Sequence, residues 1–102
     1  MPKFKIYRIQ GDSMSPSIED NSFLLITSPI KNKRINKLFI FKHKLYGKLI
    51  KKLVKVDSSN LFWFTGENCH SIKKDQIGPI NEDQILGQIV LSISKSSFKI
   101  HL

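Results

Sequence analysis

The chain has 102 residues and a formal net charge of +9, from seventeen lysines and arginines against eight acidic residues. Its length suits one domain over residues 1–102, and 40% hydrophobic with 25% charged residues excludes a disordered chain. The single cysteine excludes an internal disulfide, and no apolar run approaches the roughly 20 residues of a membrane span. We therefore predict a cytoplasmic protein that has no membrane span.

Short segments of alternating apolar and polar residues predict a mostly-β chain. In the first segment, residues 3–10, Phe4 and Ile6 share one face and Lys5 lies on the other. Further strand-like segments follow at 22–28, 37–43, 48–56, 61–66 and 84–94, and residues 96–102 close the chain as an edge strand. At Gly87 we expect a bulge or a close approach of another backbone. The predicted fold is a small coiled antiparallel sheet or a partly open barrel.

Two segments interrupt this pattern, and a third connects two strands. Residues 13–21, "SMSPSIEDN", are rich in serine, proline and aspartate and predict a turn. Residues 68–83 are polar with a Gly-Pro step, which predicts a long surface loop. The Asp, Ser and Asn residues of "VDSSNLF", at 56–62, predict a β-hairpin.

Ser13 opens the predicted turn and raises the question of catalysis. A serine hydroxyl attacks a carbonyl only when a base removes its proton. The three histidines of the chain stand in no recognisable Ser/His/Asp signature, which leaves a Ser–Lys pair as the alternative. The structural alternative is a turn serine whose hydroxyl binds a backbone N–H.

A lysine base must be neutral at the working pH. Lowering its pKa from about 10.4 to about 7 costs roughly 4 kcal/mol, and burial on an apolar face supplies such an effect. The segment "KLIKKLVKV", residues 48–56, would place Lys51 beside Leu49 and Leu53, and its neighbour Lys52 on the opposite face. The pattern does not choose between the two lysines, and an exposed strand lysine that discourages edge pairing is the structural alternative.

Several motifs together resemble the signal peptidase I family. "GDSMSPSIEDNSFLLI", residues 11–26, resembles the family's nucleophile box, in which Gly-x-Ser-Met-x-Pro precedes a polar turn and an apolar strand. "LIKKLVKV" resembles its lysine box, "TGENCHSIKKDQIGPI" its third box, and "ILGQIV" the strand that follows. The motifs occur in the family's order and cover most of residues 9–91.

This resemblance implies the mostly-β catalytic core of that family and a serine endopeptidase with a Ser/Lys dyad. It makes Ser13 the nucleophile and Lys51, the first of its pair, the general base. The backbone N–H of Ser13 would form part of the oxyanion hole, and Ser71 would orient the lysine amine. No metal and no cofactor are implied.

The resemblance also assigns residues around the dyad. Gly11 stands near the oxyanion hole, where some members offer a second hydroxyl donor, while Met14 and Pro16 shape the turn at the substrate site. The third box departs from the family, with Lys73 where an Asp is expected and Asp75 where an Arg is expected. The implied partner is a protein or peptide substrate, bound in extended form along a sheet edge.

The short form without membrane anchors is similar to nickel-type superoxide dismutase maturation proteases, which implies removal of an N-terminal propeptide or leader. Two alternatives stay open. One is a self-cleaving SOS-repressor-type peptidase domain, which shares a Ser–Lys pair. The other is a non-catalytic basic β-barrel that binds nucleic acid, with Phe62, Trp63 and Phe64 stacking on bases. We expect instead that the two phenylalanines fill the core, which makes nucleic acid the less favoured partner.

Overall fold

The structure is a computed structural model that describes residues 3–8, 22–28, 35–66, 77–95 and 98–101. Over these ranges the chain forms seven antiparallel strands and one short 3-10 helix, Glu82–Gln84. The strands are β1 Lys3–Arg8, β2 Phe23–Ser28, β3 Leu38–His43, β4 Gly47–Val56, β5 Phe62–Thr65, β6 Ile85–Ile93 and β7 Phe98–Ile100. Each predicted segment contains one strand, and the mostly-β prediction is confirmed.

The strands belong to one sheet in the order β1-β2-β6-β3-β4-β5, with β7 paired to β6. Strand β6 lies at the centre, with β2 along one side and both β3 and β7 along the other. Strand β3 pairs with its first half, where Phe39 lies opposite Gln88, and β7 with its second half, where Ile100 lies opposite Leu91. The sheet is open rather than closed into a barrel.

The two faces of the sheet carry different cores. One face carries an aliphatic core of Leu24, Ile26, Leu38, Ile40, Ile50 and Ile89. The other carries an aromatic core of Phe39, Phe41, Leu53, Phe62, Phe64, Ile77 and Ile80. Successive side chains of a strand point to opposite faces, so Ile40 and Phe41 enter different cores. The expectation that Phe62 and Phe64 are core residues is confirmed.

The sheet coils around its aliphatic core. Three strands separate β1 from β4 in the sheet order. Nevertheless, Tyr7 of β1 packs against the aliphatic core, and the Nζ atom of Lys48 in β4 lies 4.8 Å from the centre of the Tyr7 ring. The sheet curls far enough to bring these two strands together, which agrees with the predicted coiled sheet.

Gly87 lies where two strands come unusually close. A Cβ atom at this position would lie 2.5 Å from the carbonyl oxygen of Thr27 and 3.0 Å from a methyl carbon of Ile26. The pairing of β3 with β6 is also irregular here, because Gly87 pairs with Ile40 whereas Ile85 pairs with Phe41. The predicted bulge and close approach are both confirmed.

Asp57 organises the hairpin between β4 and β5. Its Oδ1 atom accepts hydrogen bonds from the backbone N–H groups of Ser59 and Leu61, at 2.9 and 3.1 Å. Its Oδ2 atom accepts one from the Nε1–H of Trp63, at 3.0 Å. The predicted hairpin is confirmed, and one carboxylate holds both its turn and the indole beside it.

Candidate active site

Lys51 is a fully buried lysine in the middle of strand β4. It lies directly opposite Phe39 of β3, on the face of the sheet that carries the aromatic core. By strand alternation it shares that face with Leu49 and Leu53. Lys52 points to the other face and is only half-buried. The structure therefore separates two lysines that the sequence pattern left equivalent.

The Nζ atom of Lys51 is buried and has no hydrogen-bond partner among the residues that the structure describes. Burial lowers the pKa of Lys51 below its usual value, because removal from water disfavours the charged ammonium. A buried amine with a lowered pKa has a lone pair that can accept a proton, which is the requirement for a lysine general base.

A row of paired residues crosses the sheet from Lys51. Phe39 pairs with Lys51 on one side and with Gln88 on the other, and Gln88 pairs in turn with Thr27. Gln88 is buried and Thr27 half-buried, on the same face as Lys51. Two strand spacings, about 10 Å, separate the backbones of Gln88 and Lys51, with Phe39 between them. Gln88 was not singled out from the sequence, where a lone polar residue in the apolar run "ILGQIV" was its only signal.

His43 links the β3–β4 hairpin to the last part of the third motif, where Ile77 lies. Its Nδ1 atom accepts hydrogen bonds from the backbone N–H groups of Leu45 and Tyr46, at 3.0 and 3.3 Å. This network assigns the ring proton to Nε2, which donates to the carbonyl oxygen of Ile77 at 2.8 Å. His43 therefore has a structural role at this point, and sequence reasoning had assigned it none.

A serine–histidine contact occurs elsewhere, at the pairing of β6 with β7. The Oγ atom of Ser92 and the Nε2 atom of His101 lie 2.8 Å apart. Ser92 is only 4% exposed, and it pairs with Leu24 of the aliphatic core. A substrate carbonyl has no access to so deeply buried a hydroxyl, so this contact stabilises strand pairing and is not a catalytic dyad.

Of the predicted site residues, only Lys51 lies within the described part of the chain. Gly11, Ser13, Met14, Pro16 and Ser71 all lie outside it. The roles assigned to these five residues stay predictions. For the predicted dyad, the structure shows the position of Lys51, the residue predicted to be the base.

Two further properties concern only the described ranges. No three His, Cys, Asp or Glu side chains in them are grouped so that they could hold a metal ion. No helix there has the length and apolar character needed to cross a membrane.

The sequence was compared with models of protein families, with curated proteins and with solved structures. The model of a family described as Peptidase S24-like matches residues 2–90. The matched range includes both Ser13 and Lys51, together with strands β1 to β5. No curated protein and no solved structure matches the chain.

Proposed function

The chain belongs to the Peptidase S24-like family, and on that premise we propose that it is a serine peptidase with Ser13 as nucleophile and Lys51 as general base. The observation that carries this proposal is the Lys51 amine, which is buried and unpartnered among the described residues. The family includes non-catalytic members. A chain that had no use for the amine would gain stability by replacing it with an apolar side chain, so its presence favours catalysis.

The proposed reaction proceeds through an acyl-enzyme. The neutral Lys51 amine accepts the Ser13 proton as the hydroxyl oxygen attacks the scissile carbonyl. The ammonium then donates that proton to the leaving amine, and the neutral amine activates the water that hydrolyses the ester. The backbone N–H of Ser13 would stabilise the oxyanion, with Gly11 nearby and Ser71 orienting the amine. Met14 and Pro16 would contact the substrate.

The proposed substrate is a protein segment bound in extended form as an added strand, cleaved to remove an N-terminal propeptide or leader. The precursor of a nickel superoxide dismutase is the candidate that the motif resemblance suggests. That resemblance to the signal peptidase I family is the support for this finer assignment. The proposal of a cytoplasmic site of action has a different basis, the single cysteine and the shortness of the apolar runs.

Self-cleavage is a second candidate within the same chemistry. The S24-like match favours it, since this family comprises serine peptidases and self-cleaving proteins. The two candidates differ in kinetics, because intramolecular cleavage has a rate that does not depend on protein concentration. Cleavage of a separate substrate shows saturation with substrate instead.

The proposed nucleic-acid barrel has little support in the described residues. Phe62 and Phe64 are buried in the aromatic core, where bases cannot stack on them. Trp63 is half-buried and hydrogen-bonded to Asp57, and the Nζ atom of Lys55 lies 5.3 Å from its ring centre. The aromatic triplet is therefore not an open stacking platform.

The decisive experiment compares Ser13→Ala, Lys51→Met and Lys52→Met with the wild-type chain. Each protein is incubated alone over a range of concentrations, and with a nickel superoxide dismutase precursor that carries its leader, and the products are read by intact mass. We expect wild type and Lys52→Met to cleave, and the other two variants to lose at least about a thousandfold in rate. Wild-type rates in Lys51→Met, with the fold retained, would remove Lys51 from the mechanism.

A further inference from the structure

Four lysines of strands β1 and β4 lie on the sheet face that carries the aliphatic core. Lys5 of β1 is paired with a residue of that core, and Lys3 shares its face by strand alternation. In β4, Lys48 and Lys52 lie two residues on either side of the core residue Ile50, so they point to that face as well. We call Lys3, Lys5, Lys48 and Lys52 the lysine cluster. All are exposed except Lys52, which is half-buried.

The coiling of the sheet brings the two halves of the lysine cluster together. Tyr7 follows Lys5 by two residues on the same face of β1, about 7 Å along the strand. The Nζ atom of Lys48 lies 4.8 Å from the centre of the Tyr7 ring. The lysines of β1 and β4 therefore lie beside one another, although these two strands are not neighbours in the sheet order.

No acidic residue of the strands offsets the charge of the lysine cluster. None of the seven strands contains an aspartate or a glutamate. The acidic residues of the described ranges lie elsewhere, with Asp57 in the β4–β5 turn and Glu82 and Asp83 in the 3-10 helix. Like charges that are held together in this way repel one another and attract an anionic ligand.

The lysine cluster lies close to Lys51 along β4, on the opposite face. Three residues, about 10 Å, separate Lys48 from Lys51. Strand β5 pairs with β4 only from Lys52 to Val56, so within the described ranges no strand pairs with that edge of β4 beside Lys48 and Lys51. In a substrate segment added there as a strand, the residue beside Lys51 would share its face. The residue three positions along would point to the other face, toward Lys48.

We propose that the lysine cluster binds acidic side chains of the substrate, at positions that alternate with the residue facing Lys51. This inference rests on the proposed peptidase function and names the chemistry of its substrate, an acidic extended segment. An exposed carboxylate–ammonium pair contributes up to about fivefold to binding, so several pairs together distinguish an acidic segment from a neutral one. The short distance to Lys51 favours a peptide over a nucleic acid, because one added strand would meet both the lysine cluster and the base.

The test measures binding of two labelled peptides of about ten residues, repeating Ala-Glu and repeating Ala-Gln, by fluorescence anisotropy at low ionic strength. The protein is the Ser13→Ala chain, which should not cleave them. We expect it to bind the Ala-Glu peptide at least about tenfold more tightly, with a preference that falls as salt is added. Adding either Lys5→Glu or Lys48→Glu should weaken this binding at least about fivefold.

The matched control is Lys55→Glu, which makes the same change of charge at an exposed position of the same strand, roughly 20 Å from Lys48. It should retain the preference for the Ala-Glu peptide. Circular dichroism melts establish that each variant is folded before binding is compared. Equal binding of the two peptides would overturn the proposal, as would equal losses in Lys48→Glu and Lys55→Glu, which net charge alone would produce.

A duplex DNA is the comparison ligand. If the chain binds the duplex more tightly than the Ala-Glu peptide, and Lys5→Glu and Lys48→Glu remove that binding, the lysine cluster belongs to nucleic acid and the proposal is wrong. Binding and catalysis fail separately in these measurements. A preference for the acidic peptide in a chain whose wild type cleaves nothing would retain the acidic partner and remove the peptidase function. Cleavage without any preference for acidic segments would do the reverse.

Discussion

Lys51 and Phe39 lie directly opposite each other on adjacent strands, so that a lysine amine is enclosed on the face of the aromatic core. Strand pairing fixes this relationship through backbone hydrogen bonds on both sides of Phe39, and Lys51 is fully buried. The burial that lowers the pKa of this amine also makes it a cost to stability.

Lys51→Met should stabilise the protein. Methionine has a similar length and no polar atom, so the substitution removes a buried amine without a partner in the described residues. We expect a gain of about 1–3 kcal/mol in the free energy of unfolding at neutral pH, the usual cost of an unsatisfied buried polar group. Urea denaturation with an unchanged m-value measures it. The control is Lys52→Met, at the half-buried neighbouring position, which should change the free energy of unfolding far less. A Lys51→Met variant less stable than wild type would contradict this prediction, because it would mean that the amine makes favourable contacts.

The stability difference between wild type and Lys51→Met should depend on pH. The pKa of Lys51 is lowered in the folded state by burial, whereas in the unfolded chain it returns to about 10.4. Between these two pKa values the unfolded chain binds one more proton than the folded chain at this site. Wild-type stability should therefore rise with pH relative to the variant throughout that window, by at most about 1.4 kcal/mol per pH unit.

Paired urea titrations of the two proteins from neutral to alkaline pH measure this slope. The difference between them isolates Lys51, because the other lysines titrate alike in both. A difference that stays constant up to the ordinary lysine pKa would show that the folded protein holds Lys51 as an ammonium, which would remove the basis for a neutral amine base.

Gly87→Ala should destabilise the sheet. The new methyl group would lie 2.5 Å from the Thr27 carbonyl oxygen, and a backbone atom cannot move aside as a flexible side chain can. We expect a loss of about 1–3 kcal/mol, measured by thermal denaturation. Gly47→Ala is the comparison: its φ of +74° strains a side chain by roughly 1 kcal/mol, but nothing lies within 4 Å of the added carbon. A larger loss at Gly47 than at Gly87 would contradict this account.

His43→Phe should loosen the attachment of Ile77 to the β3–β4 hairpin. Phenylalanine keeps a ring against Tyr46, whose ring centre lies 4.8 Å from that of His43, but it leaves the Ile77 carbonyl and the Leu45 N–H without partners. We expect a loss of about 1–3 kcal/mol and faster hydrogen exchange at the backbone N–H groups of Ile77, Gly78 and Ile80. Tyr46→Phe retains the ring contact and should leave both measurements close to wild type.

The sequence was sufficient to predict the strands because each is a local pattern. Alternation and turn residues bound the segments that form β1 to β7, and the residue types of Asp57 and its neighbours indicate the hairpin that its hydrogen bonds hold. A glycine within an apolar strand segment likewise indicated that another backbone lies close to Gly87. These features depend on residues that are near one another in the chain.

The candidate site was predictable only in part. Residue type and motif order singled out Lys51 and Lys52 as a pair, and a family resemblance favoured the first. Gln88 and His43 were not foreseen, because their neighbours Phe39 and Ile77 come from distant parts of the chain. Periodicity contains no information on such pairings.

The sequence by itself determined a basic, mostly-β chain with two adjacent lysines that must point to opposite faces of a strand. That Ser13 lies in a turn stays a prediction. Only the tertiary structure decided which lysine is buried, because that depends on pairing with Phe39 and on the coverage of one sheet face by Ile77 and Ile80. It also decided that Phe4 and Ile6 face solvent although their alternation is the same as in buried strands. The physical reason is common to both: alternation assigns a side chain to a face, while burial depends on what the rest of the fold places over that face.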